Sequence, residues 1–111
     1  MVAYTGSARY DLTVIPCKNY THRTMYELPI PPSPNLPNMK SIYLYPSTCY
    51  FGATPVSLGR GTDWPFQIYG HPNMVGYTFS FTPRSVPGAK NPPLLNKKCY
   101  GVDLTRLSNE E

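Results

Sequence analysis

The sequence predicts a small α+β fold, loop-rich and proline-rich, with about three to five strands and one short helix. Three observations carry this. Proline fills 14 of 111 positions, about two and a half times average usage, and its fixed φ and missing N–H exclude long helices over most of the chain. Only one stretch, around residues 38–45, begins with a capping residue and continues in helix-compatible residues. Runs with the alternation or β-branching of strands recur near both ends of the chain. The hydrophobic content of 41% and the ten tyrosines set it apart from disordered segments, which are poor in aromatics.

Each element follows in order. "YDLTVIPC", residues 10–17, is apolar and β-branched up to Pro16. Such a run suits a strand buried on both faces, as in a parallel sheet. The covering helices that a parallel strand needs do not follow it. Residues 1–16 therefore read as the last strand region of a larger α/β unit, and residues 17–111 as a separate C-terminal subdomain. "PIPPSPNLPN" (29–38) is extended proline-rich chain. Asn38 is the expected N-cap of a short helix with Met39, Ile42 and Tyr43 on one side, ending before Pro46. "FQIYGH" (66–71) and "YTFSFTP" (77–83) come next. In the second, Tyr77, Phe79 and Phe81 alternate with Thr78, Ser80 and Thr82, the period of a half-buried strand. "KKCYGVDL" (97–104) closes as another strand, with Tyr100, Val102 and Leu104 expected on one face.

Composition narrows the function. The net charge of +4 comes from ten Lys/Arg against six Asp/Glu, and Lys97–Lys98 is the only adjacent basic pair. That scatter is not a nucleic-acid stripe. No run approaches the ~18 apolar residues of a membrane span, and "MVAYTGSARYDL" lacks the charged start and apolar core of a signal peptide. Cys17, Cys49 and Cys99 are odd in number and widely spaced, unlike a disulfide framework or a zinc site. Buried, reduced thiols are the expectation, and no metal or cofactor site is expected.

The stretch "FGATPVSLGRGTDWPFQ" (51–67) holds three glycines, two prolines and four hydroxyl or amide side chains. Gly59 and Gly61 flank Arg60, so the main chain can approach a ligand while the guanidinium reaches over it. Thr54, Ser57, Thr62 and Asp63 add donors and acceptors suited to a polyhydroxylated or carboxylated partner. No lysine follows the glycines, which argues against a phosphate loop. On composition alone, a glycine-punctuated corner and a ligand loop account for the stretch equally well.

The segments "PPSPNLPNMKSIYLYPSTCYFGATPVSLGRGTDWPFQIYGHP" and "FTPRSVPGAKNPPLLNKKCYGVDL" closely resemble the C-terminal part of the bacterial exo-β-N-acetylmuramidases. This family was long catalogued as a domain of unknown function. The likeness runs from about Asp11 to Leu104, is most specific at Ser33-Pro34-Asn35 and Gly59-Arg60-Gly61-Thr62, and at "YGHP" is most similar to members from Bacteroidota. It implies a glycoside hydrolase that removes terminal N-acetylmuramic acid from peptidoglycan fragments, working in the periplasm or outside the cell. It also implies a Rossmann-like N-terminal half carrying a Pro-Glu-His-Gly motif, which is not in this sequence. Where the family usually has glutamate, in Glu-Gly-Thr or Glu-Ala-Thr, this chain has Gly52.

Glycoside hydrolysis ordinarily needs two carboxyl groups across the scissile bond. The acids here are Asp11, Glu27, Asp63, Asp103, Glu110 and Glu111, and only Asp63 lies in the candidate loop. No catalytic residue is therefore assigned. His71 is expected at a structural or edge position. The resemblance points to a substrate-cleft wall formed by Ser33, Asn35, Thr54, Ser57, Arg60, Thr62 and Asp63. Arg60 is suited to the lactyl carboxylate of muramic acid, and the hydroxyl and amide side chains to sugar contacts. The expected partners are muramic-acid-containing fragments and the N-terminal half. The alternative is a non-catalytic carbohydrate-binding remnant or degenerate pseudo-enzyme.

Overall fold

The computed structural model describes residues 11–108. It contains one helix, α1 (Met39–Thr48), a 3-10 turn over Cys49–Ala53, and strands β1 (Ile68–His71), β2 (Phe79–Phe81) and β3 (Cys99–Asp103). The strands form one antiparallel sheet in the order β1-β3-β2, so β3 is central although it comes last. One helix and a three-stranded sheet match the α+β expectation.

Asn38 starts α1 as anticipated. Its Oδ1 accepts the Ser41 N–H at 2.9 Å, and the Asn38 N–H donates to Ser41 Oγ at 3.4 Å, a reciprocal capping box. The helix does not stop before Pro46; it runs through it to Thr48. Proline takes its own N–H out of the ladder and crowds the carbonyl four residues back, but here the helix ends soon after, at Thr48. Beyond it, the Thr48 hydroxyl donates to the Leu44 carbonyl at 2.9 Å and the Cys49 N–H donates to Tyr45. Burial along the helix is deepest at small polar residues. Ser41 and Thr48 are buried, whereas Met39, Ile42 and Tyr43 are only half-buried.

The sheet holds the core. Ile68, Phe81 and Cys99 pack together, with Phe79 and Leu94 against them. The alternation across 77–82 survives only over Phe79–Phe81, because Tyr77 is drawn into a turn by its N–H bond to the Met74 carbonyl (3.2 Å). On β3 the buried face carries Cys99 and Gly101, while Tyr100, Val102 and Leu104 are half-buried. Gly101 faces Gly70 on β1 and Phe79 on β2. A Cβ at Gly101 would run into the Tyr69 carbonyl, so the strands approach this closely only because no side chain separates them.

Residues 11–16 form no strand here and are exposed. The strand expected over 10–17 would need a neighbouring backbone to pair with, and none of the described residues supplies one. Residues 1–10, Tyr10 among them, and residues 109–111, with Glu110 and Glu111, lie outside the described residues. Large apolar side chains stay exposed along this arm, including Leu12, Val14, Ile15, Met25, Tyr26 and Ile30. Cys17 is exposed, Cys49 half-buried and Cys99 buried, all as free thiols. The expectation of burial thus holds for Cys99 and fails for Cys17, which sits on the unpacked arm.

Candidate functional site

The glycine-rich loop both turns a corner and presents Arg60. It leaves the 3-10 turn, pairs once with β1 through Ser57 and Gly70 (2.8 and 2.9 Å), and then folds back on itself. Gly59 and Gly61 have φ of +75° and +83°, a region that other residues adopt only at a cost. Both are also pressed against neighbours. A Cβ at Gly59 would lie 2.6 Å from Ile68 Cγ1, and one at Gly61 would lie 2.5 Å from the Arg84 carbonyl oxygen. The corner is thus bolted to the core on both sides of Arg60, which remains exposed.

Two further turns complete the wall. In the Ser33–Leu36 turn the Leu36 N–H donates to the Ser33 carbonyl at 2.9 Å, and the Asn35 N–H donates to Ser33 Oγ at 3.2 Å. In the Val86–Ala89 turn the N–H of Ala89 donates to Val86 at 3.0 Å. Asn35 Nδ2 donates to the Gly88 carbonyl at 3.2 Å and clamps the two turns together.

Ser33, Asn35 and Arg60 line one hollow of about 220 Å³ with Leu36, Tyr45 and Phe66. Tyr45 and Phe66 meet edge to face, ring centres 5.0 Å apart. This apolar floor with polar groups at its edge is the ordinary composition of a small-ligand site. Asn35, Thr62 and Asp63 line an adjoining hollow of about 280 Å³ with Pro34, Pro37 and Val86. Thr62 is also tied internally: its hydroxyl donates to the Gly59 carbonyl at 2.7 Å and accepts the Trp64 N–H at 3.1 Å.

Five of the seven candidate residues therefore converge, and two do not. Thr54 closes the 3-10 turn by donating to the Phe51 carbonyl at 2.6 Å. Ser57 is fully buried, its Oγ without a hydrogen-bond partner among the described residues. It lines neither hollow.

Gly52 stands in open space, with nothing within 4 Å of a Cβ built on it. Of the acids among the described residues, Asp63 alone lines these hollows. Asp103 accepts the N–H and hydroxyl of Thr105 at 2.8 and 2.6 Å, and Glu27 lines a separate hollow beside Leu28 and Met39. His71 Nδ1 accepts the Asn73 N–H at 3.2 Å in the turn after β1, the edge position expected of it. No cluster of metal-binding side chains occurs among the described residues, and none of their helices is long and apolar enough to cross a membrane.

Residues 43–111 match the family described as exo-beta-N-acetylmuramidase NamZ, C-terminal. The chain belongs to this family. Peptidoglycan beta-N-acetylmuramidase NamZ from Bacillus subtilis (strain 168) is 34% identical over 109 residues, covering 85% of this chain and 26% of the relative. A crystal structure of a DUF1343 family protein from Bacteroides fragilis NCTC 9343 superposes with a TM-score of 0.82 at 78% identity, over 88% of this chain and 28% of the other. The chain thus spans little more than a quarter of the length of these two relatives. The matched region holds Tyr45, Arg60, Thr62, Asp63 and Phe66, and begins after Ser33 and Asn35.

Lining residues not anticipated from the sequence include Tyr45 and Phe66 in the first hollow and, in a third beside Thr62 and Asp63, Trp64 and Arg84. Trp64 carried a usable signal as the single tryptophan of the chain, set in a polar loop. Tyr45 and Arg84 carried none, since their place in the wall depends on contacts distant in sequence.

Proposed function

We propose that this chain forms one wall of a muramic-acid cleft in an exo-acting β-N-acetylmuramidase that removes terminal N-acetylmuramic acid from peptidoglycan fragments. The observation that carries this reading is the convergence of Ser33, Asn35 and Arg60 on one hollow floored by Tyr45 and Phe66. Arg60 grips the lactyl carboxylate, the group that distinguishes muramic acid from N-acetylglucosamine, and a planar guanidinium can do so with two parallel bonds. Asn35 and Ser33 take the sugar's hydroxyl and acetamido groups.

Among the described residues the wall offers Asp63 as its only carboxylate, and glycoside hydrolysis ordinarily employs two. In this proposal the second belongs to a Rossmann-like N-terminal unit, to which residues 1–16 contribute a last strand and against which the 17–111 subdomain closes the cleft. Gly52 favours a second reading, a carbohydrate-binding remnant without chemistry, because it leaves the loop without the family's usual carboxylate.

Both readings predict binding without turnover by this chain alone. Calorimetric titration is expected to show N-acetylmuramic acid bound more tightly than N-acetylglucosamine. Incubation with a chromogenic muramide is expected to release no product. Equal affinity for the two sugars would overturn the cleft-wall assignment, and product release would overturn the need for a second unit.

A further inference from the structure

Away from the glycine corner, a hollow of about 350 Å³ opens where the proline-rich arm passes the start of α1. Leu28, Pro31, Pro37, Met39 and Ile42 wall it, and Glu27 is the one charged residue among the described residues that line it. The shape is held from two sides. The Leu28 N–H donates to Met39 Sδ at 3.4 Å and ties the arm to the helix, while the fixed φ of Pro31 and Pro37 stiffens the chain between them. The cation at the start of the helix is engaged elsewhere, since Lys40 Nζ donates to the Leu107 carbonyl. The Glu27 carboxylate therefore borders an aliphatic space whose lining supplies no cation. Pro37 also lines the hollow of Thr62 and Asp63, which shares Asn35 with that of Arg60. The hollows thus follow one another from Arg60 to Glu27.

We infer that the hollow at Glu27 binds an alkylammonium side chain, that of a diamino acid in a peptide carried on the lactyl group of muramic acid. The inference rests on the cleft-wall reading, which puts the muramic acid at Arg60, and extends it from the sugar to the peptide. A lysine-like side chain joins an aliphatic stem to a charged head. The stem packs on Leu28, Met39 and Ile42, and the head pairs with Glu27. The span fits as well. Asn35 and Pro37 are two residues apart, at most ~7 Å, so a peptide of two to three residues leaving the lactyl group crosses from one hollow to the other. Once the lactyl carboxyl is taken up in the peptide bond, its carbonyl oxygen still accepts from the Arg60 guanidinium.

The full chain is titrated calorimetrically with N-acetylmuramyl-L-alanyl-D-isoglutamine extended by L-lysine, and with the same compound extended by L-alanine. N-acetylmuramic acid and N-acetylglucosamine are titrated alongside. The lysyl compound is expected to bind about twofold to fivefold tighter than the alanyl one, the worth of an exposed ion pair. That advantage is expected to vanish in Glu27→Gln and to shrink in ~1 M NaCl, where the Debye length is about 3 Å. Glu27 is exposed, so Glu27→Gln is expected to keep the parent's Tm and its affinity for N-acetylmuramic acid. Equal affinity for the two peptides, or a lysyl advantage that survives Glu27→Gln, overturns the inference. If N-acetylmuramic acid is still preferred over N-acetylglucosamine in that case, the cleft wall stands and the peptide hollow alone falls. Loss of the preference between the two sugars overturns the cleft wall and this inference together.

Discussion

Replacing Gly61 with alanine tests whether the corner is as tightly built as the structure implies. Gly61 has φ of +83°, and a Cβ there would lie 2.5 Å from both the Arg84 carbonyl oxygen and Pro92 Cγ. A non-glycine residue held in such a region costs about 1–3 kcal/mol. The new methyl adds an overpacking cost of about 1–3 kcal/mol, because one obstacle is backbone and the other is a buried proline ring. Together they amount to about 2–6 kcal/mol, a large share of the ~5–15 kcal/mol that holds a domain folded. At about 4–8 °C per kcal/mol for a domain of this size, Gly61→Ala is expected to lower Tm by at least ~8 °C in a circular-dichroism melt. Gly52→Ala is the control, since its Cβ meets nothing within 4 Å, and it should stay within about 0.5 kcal/mol of the parent. A Gly61→Ala chain that melts within ~2 °C of the parent would refute the argument that this glycine sets the geometry between Arg60 and Thr62.

Other consequences are open to direct measurement. Asn38→Ala removes the cap of α1 and should cost about 1 kcal/mol in urea unfolding, with a null result showing that the cap is dispensable. Gly52→Glu should be accepted with a change in stability under about 0.5 kcal/mol, since the site is open. Burial raises the Cys99 thiol above its ordinary pKa, so the folded chain keeps its proton where the unfolded chain has lost it. The unfolded state then binds fewer protons, and stability should fall as the pH climbs past about 8.5; Cys99→Ser should flatten that decline. Cys17 should react with iodoacetamide at once and Cys99 only on unfolding, because one is exposed and the other buried.

What could be read in the sequence was mostly local. The cap at Asn38, the alternation centred on Phe79–Phe81 and the glycines around Arg60 each depend on neighbours within a few residues, and each appears in the structure. Pro46 was misleading because a proline late in a helix removes one bond that Thr48 and Cys49 can work around. On β3, Tyr100 and Val102 alternate with Cys99 and Gly101 as a period of two requires. The deeper burial goes to Cys99 and Gly101, small enough for strand to meet strand, rather than to the larger side chains. Ser57 and Thr54 have the right chemistry for sugar contacts, yet the Ser57 hydroxyl is buried and the Thr54 hydroxyl is taken by the 3-10 turn. Trp64 and Arg84 show the opposite limit. They line one hollow, beside which the Arg84 N–H bonds to the Gly61 carbonyl across the fold, a contact with no local trace.

The most direct test of the central claim is the preference of the chain between N-acetylmuramic acid and N-acetylglucosamine, measured by calorimetric titration before and after Arg60→Ala. The two sugars differ by the lactyl group, so their ratio of affinities isolates the contact assigned to the guanidinium. Losing a charge-assisted hydrogen bond is worth about 1.5–3 kcal/mol, or about a tenfold to hundredfold loss of affinity. Arg60→Ala is therefore expected to abolish the preference for muramic acid without changing Tm, and Arg60→Lys to restore only part of it, since an ammonium cannot make the paired contact. An Arg60→Ala chain that prefers N-acetylmuramic acid as strongly as the parent would contradict the account.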